Sequence, residues 1–252
     1  MFLGQHTLAF AIVLFFVALG CMFLGRFLRA RLPKETEYET GAIDGAVYGL
    51  VALLIGFTFH GAAERFQHRR ELIIEEANAI STAYSRVDLV QPDRQEAMRA
   101  AFREYVKARL AVYQDPENSE LTHTRLAHQE QMAQALWGQI IASLRAPDAP
   151  IALALVVPAN EMLDMANTRV NIVKMHPPRA IYGLLILASL VASLLVGFGL
   201  KSELRLRLHM VVYALAMAST LFVILELEFP RLGLIRVDAM DAALVQQLEA
   251  MK

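Results

Sequence analysis

Cysteine is nearly missing: Cys21 is the only one in 252 residues. That excludes an internal disulfide and a cysteine-ligated metal cluster. Its place inside an apolar run makes it a small packing residue. Charge is also scarce. Asp, Glu, Lys and Arg make up 19% of the chain and the net charge is −1, so no global field draws in nucleic acid. No P-loop, dinucleotide-binding glycine pattern or zinc-ligand spacing is found. No Ser/His/Asp or Cys/His arrangement forms a recognisable site. His123, His128 and His176 are scattered and read as surface residues. The expectation is therefore no enzyme, no catalytic residue, no metal and no cofactor. Internal repeats, low-complexity tracts and strand-like alternation are absent as well.

Apolar surface is what the chain has in excess. Hydrophobic residues make up 56% of it, above the ~45–50% of soluble domains, and this points to lipid-facing segments. Thr7 to Gly25 holds no charge and, at ~19 residues, can cross ~30 Å of hydrocarbon. No positive charge precedes it, it is longer than a signal-peptide core, and Arg26, Arg29, Arg31 and Lys34 follow it. It reads as a retained span. Gly45–Ala63, Ala180–Leu200 and Leu208–Leu225 are three more spans. The expected fold is an all-α membrane protein with four transmembrane helices in two hairpins and an inserted helical, water-facing domain. The expected boundaries are 1–63 for the first hairpin, 64–179 for the inserted domain, 180–228 for the second hairpin and 229–252 for a connector and terminal amphipathic helix.

No Pro or Gly separates the second span from the polar stretch after it, so one helix is predicted to leave the membrane and continue to Pro92. Phe66, Ile73, Ala77, Ile80, Tyr84 and Val87 form a near-heptad seam along it. A second helix starts near Asp93 with Met98, Phe102, Tyr105 and Tyr113 on one side. Residues 115–118 make a turn, and a third helix carries Met132, Leu136 and Ile140. Residues 146–150 break the chain again. A fourth helix runs from Ile151 toward Met175, kinked or restarted at Pro158. Asp238 caps a terminal helix presenting Met240, Leu244, Leu248 and Met251.

Orientation is undecided by charge. The first and third loops hold Arg26, Arg29, Arg31, Lys34, Lys201, Arg205 and Arg207. The other side holds Arg65, Arg69, Arg70, Lys174, Arg179, Arg231 and Arg236. The positive-inside rule cannot separate sets so nearly balanced.

The second span carries the first candidates. Gly41, Gly45 and Gly49 share one helix face and allow close helix packing, either within the chain or between subunits. Asp44, at the membrane boundary, either caps the helix or acts in gating. Leu50, Leu53 (or Leu54) and Phe57 form an apolar stripe. It would be a dewettable constriction if second spans surround an axis, and ordinary lipid-facing surface otherwise. His60 marks the exit into water as an interfacial histidine or a pH sensor. Below it, Glu75, Glu76, Asn78, Ser81, Thr82, Ser85 and Asp88 flank the seam, as a solvated face or a vestibule lining. The pore-lining candidates are Leu50, Leu53, Phe57, His60, Asn78 and Ser85.

The connector after the fourth span packs Glu226, Glu228, Arg231, Arg236 and Asp238 around Pro230 and Gly233. Clustered carboxylates there would suit a hard cation. The two arginines favour structural ion pairs instead, with a gating role as the alternative.

These stretches carry a resemblance. Tyr48-Gly-Leu-Val-Ala-Leu-Leu-Ile-Gly-Phe-Thr-Phe leads into Ala63-Glu-Arg-Phe and Arg69-Arg-Glu-Leu-Ile-Ile-Glu-Glu-Ala-Asn-Ala-Ile-Ser-Thr-Ala-Tyr. Near the C-terminus comes Phe229-Pro-Arg-Leu-Gly-Leu-Ile-Arg-Val-Asp. Together they resemble the bacterial bestrophin-like domain family over nearly the whole chain. More distantly, the chain is similar to bestrophins. Those are pentameric ion channels with a helical cytosolic domain and a pore lined by the second span, narrowed by a hydrophobic neck. The resemblance implies Leu53 and Phe57 as neck positions, a cytoplasmic inserted domain and a bacterial inner-membrane location. The run of consecutive acids that binds calcium in animal bestrophins is absent.

The leading expectation is a homo-oligomeric, pentameric channel that passes small inorganic ions passively and has membrane lipid as its other partner. Two alternatives remain: a proton-driven stator-type subunit that needs a partner chain, and a non-conducting membrane scaffold or sensor.

Overall fold

The computed structural model describes residues 6–33, 41–114, 118–144, 149–199 and 205–251. Among them lie eight α-helices and no strand: α1 (Thr7–Ala30), α2 (Gly41–Ser85), α3 (Pro92–Ala111), α4 (Ser119–Ser143), α5 (Ala149–Ile172), α6 (Arg179–Gly199), α7 (Arg205–Glu228) and α8 (Ala242–Ala250). The turn expected at 115–118 is described only at Asn118. The break expected at 146–150, Lys34 and the third loop from 201 to 204 likewise fall largely outside the described residues.

Helix α2 is a single element of 45 residues, extended by a 3-10 turn over Arg86–Leu89. The expected uninterrupted helix is present. It ends where Val90 turns extended and Pro92 opens α3 from the first helical turn, the one place a helix tolerates proline freely.

The chain forms two compact units. The first comprises residues 1–66 and 176–235; the second comprises 67–175 and 236–252. α2 contributes to both.

In the first unit, α1, α6, α7 and the start of α2 are each long and apolar enough to cross a membrane. A helix suits that setting because it satisfies its own backbone groups. α1 packs chiefly on α6, and next on α7. Met22, Ala18, Met210 and Ala214 form one buried cluster; Leu14, Ala62, Leu185, Leu221 and Ile224 form another. Buried Ser189 and Ser193 give their hydroxyls to the carbonyls of Leu185 and Ser189, one turn back. The α1–α6 crossing depends on two glycines. A Cβ on Gly197 would fall on the Met22 carbonyl, and one on Gly25 would fall on the Leu194 carbonyl. The backbones touch, as small residues permit in lipid.

The second unit is a helical bundle around Ile80, Val87, Met98, Phe102, Tyr105, Leu136, Ile140, Leu155 and Met162, closed at the end by Leu244 and Met251. The seam read along α2 is the buried face, through Ile73, Ala77, Ile80 and Val87. Asn118 caps α4, its side chain accepting from the Leu121 amide at 3.0 Å. Arg94 serves the other end, donating to the Ala142 carbonyl at 2.9 Å. α5 runs on through Pro158 rather than restarting. Proline lacks the amide that would bond the carbonyl four residues back. That carbonyl, of Ala154, accepts from Arg86 at 2.8 Å instead, so the break is repaired from outside the helix. Asp238 does not cap α8. It lies in a 3-10 turn before that helix and accepts from Arg236, because a cap must immediately precede the first helical turn.

Gly197→Ala is expected to lower the thermal midpoint of the detergent-solubilised protein, by overpacking worth about 1–3 kcal/mol. Gly183→Ala, whose new methyl meets nothing within 4 Å, is expected to leave it unchanged. Equal midpoints for the two variants would contradict the backbone contact.

Candidate functional site

The helix α2 has two opposed heptad rows. One is the buried seam. The other is Leu50, Phe57, Glu64, Glu71, Asn78 and Ser85, each seven residues from the next and every one exposed. In the first unit this row and its neighbours Leu53 and His60 leave the bundle surface uncovered: Leu50, Leu53 and Phe57 are 54%, 55% and 67% exposed. In the second unit the exposed face of α2 carries Glu71, Glu75, Asn78, Thr82 and Ser85. The six residues proposed from sequence as pore-lining therefore share one side of one helix, and nothing within the described chain covers it.

Glu76 does not belong to that face. It follows Ile73 by three residues and precedes Ile80 by four, so it lies within the buried seam, and it is fully buried. Arg109 donates to it through Nε and, at 3.4 Å, through Nη2; Arg169 donates through Nη1. Arg109 also reaches the Ala166 carbonyl at 3.2 Å, and Arg169 reaches Asp241 at 3.4 Å. Both guanidiniums lie against the Tyr113 ring, 4.8 and 4.5 Å from its centre. Burial opposes the Arg109 charge, but Tyr113 and Glu76 outweigh it and hold the guanidinium above its ordinary range. Burial, helped by the Glu76 charge, pushes the Tyr105 phenol well up, so it stays neutral. Neither arginine is among the candidates named from sequence. The signal is nevertheless there: Arg109 falls inside the apolar stripe of Phe102, Tyr105 and Tyr113, at spacings of three and four.

The glycine ladder is open. A Cβ on Gly41, Gly45 or Gly49 would meet nothing within 4 Å, so these residues do not mediate packing within the described chain. Asp44 lies in the first turn of α2, where a carboxylate complements the helix dipole.

Glu226 is held by groups other than the arginines beside it in the chain. Glu226, fully buried, accepts from the Thr7 hydroxyl and from the amides of Leu234 and Ile235, the last at 2.9 Å. The chain must fold back over the carboxylate to bring those amides in. Gly233 makes this possible, since a Cβ there would fall on the carboxylate itself. Glu228, also fully buried, takes Arg65 at 2.9 Å and the Nδ1–H of His176 at 2.9 Å. His176 thus has a hydrogen-bonding role that its isolated place in the sequence does not reveal. Arg236 pairs with Asp238. Ion pairing is the favoured expectation from sequence, and the Arg236–Asp238 pair is of that kind; Glu226 is instead met by the Thr7 hydroxyl and by backbone, and Glu228 takes Arg65 from α2. Among the described residues no group of three His, Cys, Asp or Glu side chains is placed to hold a metal ion.

Glu76→Leu strands two buried arginines without their carboxylate. The expected loss is about 3–5 kcal/mol, read as a lower thermal midpoint and faster proteolysis of the helical unit. Glu75→Gln, one residue away but exposed, is expected to change neither. Comparable losses from the two would mean that Glu76 is not the charge centre of this unit.

Beyond its own geometry, the chain can be placed by likeness. A bestrophin-like domain model matches residues 11–241. No curated protein matches the sequence. Among solved structures, a single-residue variant of a bacterial bestrophin homologue from Klebsiella pneumoniae superposes with a TM-score of 0.75 at 14% identity, over 97% of this chain and 97% of that one. The same organism's bestrophin homologue solved by zinc phasing gives 0.75 at 15% identity, over 95% and 97%. At such identity these two likenesses speak for the fold, and the family model adds kinship across nearly the whole sequence: this chain belongs to the bestrophin-like family.

Proposed function

We propose that this protein is a homo-oligomeric ion channel, a pentamer, that conducts small inorganic ions passively through a pore lined by α2. Known members of the family are ion channels. The observation that carries the reading is the exposed heptad row of α2, apolar at Leu50, Leu53 and Phe57 and polar from His60 on. A helix whose mates surround an axis needs a face of this kind: an apolar ring narrow enough to dewet, then oxygen-bearing side chains that can replace hydration water. Leu53 and Phe57 are the constriction, and His60, Asn78 and Ser85 line the wider path. The open ladder of Gly41, Gly45 and Gly49 is the surface where neighbouring subunits approach, and lipid covers the remaining apolar faces. The location is the bacterial inner membrane with the helical unit in the cytoplasm. Passive conduction calls for no cofactor and no catalytic group.

Current across a planar bilayer holding the purified oligomer is the direct test. Discrete currents are expected, and Phe57→Ala is expected to raise the single-channel conductance by widening the apolar ring. An unchanged conductance and rectification in that variant would remove α2 from the pore. Inserted, oligomeric protein that stays silent would favour a stator-type subunit lacking its partner, or a scaffold.

Gly45→Leu is expected to abolish assembly without unfolding the monomer, as native mass and circular dichroism would report. A variant of normal oligomer mass would show that subunits meet elsewhere.

A further inference from the structure

Resting on the reading that copies of α2 surround an axis, we infer a binding site for a divalent transition-metal ion of the zinc class where α2 leaves its apolar part. His60 and Glu64 of one subunit and the same two residues of the next build it, and an ion bound there blocks the current. The spacing places the ligands. His60 and Glu64 are four residues apart, and His68 continues the row at the same spacing. On a helix the three fall within about 80° of one another. All are exposed, on the side of α2 that carries Phe57. Four residues correspond to about 6 Å of rise, the spacing at which two side chains of one helix close on a single metal ion. Imidazole nitrogen and carboxylate oxygen are both zinc ligands.

These ligands are also free to bind. Among the described residues, His60, Glu64 and His68 have no hydrogen-bond or ion-pair partner. Arg65, the cation beside Glu64 in the chain, is turned to Glu228 at 2.9 Å. Glu71, further along the row, differs in accepting from Gln67 at 3.0 Å. A metal ion at Glu64 therefore displaces no protein partner.

One chain cannot complete the site. His60 and His68 lie about 12 Å apart along the helix, so one ion takes at most an adjacent pair. Zinc is held by about four ligands. Around an axis the His60–Glu64 pair recurs at the same height on every subunit, one turn beyond Phe57. Two neighbouring subunits then supply the full set, and the ion they hold stands in the path of conduction.

Zinc titration tests this by two readouts. Calorimetry on the purified wild-type oligomer is expected to show zinc binding with fewer ions than subunits. The exposed double variant His60→Gln/Glu64→Gln is expected to weaken it at least about tenfold, since loss of even an outer partner of a metal ligand costs that much. In the planar bilayer, zinc is expected to reduce the wild-type current reversibly. Half-block of the double variant, read against its own zinc-free current, is expected to need correspondingly more zinc. Calcium, a hard cation that prefers oxygen ligands, is expected to do neither at the same concentration. His128→Gln, at an exposed histidine of α4, is expected to change nothing. Binding unmoved by the double variant, one ion per subunit, or a current insensitive to zinc overturns the inference and leaves the channel reading intact. A bilayer that is silent before zinc is added overturns the pore reading, and the inference with it.

Discussion

A helix of 45 residues that buries only one side imposes a condition on everything around it. α2 satisfies its backbone internally, but its side chains must satisfy two environments on each face. The seam through Ile73, Ala77, Ile80 and Val87 is covered by the chain's own helices. The opposite row, from Leu50 to Ser85, is covered by none of them. Apolar residues on that row, in the part of α2 long and apolar enough to span a membrane, must meet lipid or another subunit. The polar residues beyond them must meet water or another subunit. Surrounding an axis with copies of α2 meets both demands with one arrangement, and for that reason the channel reading rests on burial rather than on any single motif.

The same condition explains the treatment of buried charge. Glu76 and Glu228 reach full burial because donors from other segments come to them, Arg109 and Arg169 in one case and Arg65 and the His176 ring in the other. Such pairs add little net stability over a well-packed apolar core, but removing one partner is costly. They therefore act as registration points. Arg169 extends the Glu76 cluster to Asp241, so the turn that leads into α8 is placed by the same carboxylate that joins α2 to α3 and α5.

Element type and order were legible in the sequence because apolar length and heptad spacing are strong, local signals. The four spans, the uninterrupted α2 and the seam follow from Thr7–Gly25, Gly45–Ala63 and the run from Phe66 to Val87 without any knowledge of neighbours. Partners were less legible. A glycine looks the same in sequence whether its face is closed, as at Gly25 and Gly197, or open, as at Gly41, Gly45 and Gly49. The ladder draws attention by its spacing, whereas the packing glycines stand alone and are recognised only once α1 and α6 lie side by side. Proximity in sequence also misleads at the connector. Arg231 and Arg236 stand close to Glu226 in the chain, yet Glu226 is bound by a threonine 219 residues away and by two backbone amides.

Those amides couple charge to shape. Glu226 and Glu228 lie two residues apart, on different faces of the last turn of α7, and are accommodated by different chemistry. Glu228 is met by side chains, which can adjust. Glu226 is met by main chain, which cannot, so the connector must curl over it and Gly233 must have no side chain. The carboxylate thus shapes the chain that leaves the membrane-spanning unit, while the Thr7 hydroxyl ties the first turn of α1 to the same point. The last turn of α7 is thereby joined to the start of α1 and to the connector through one side chain out of reach of solvent.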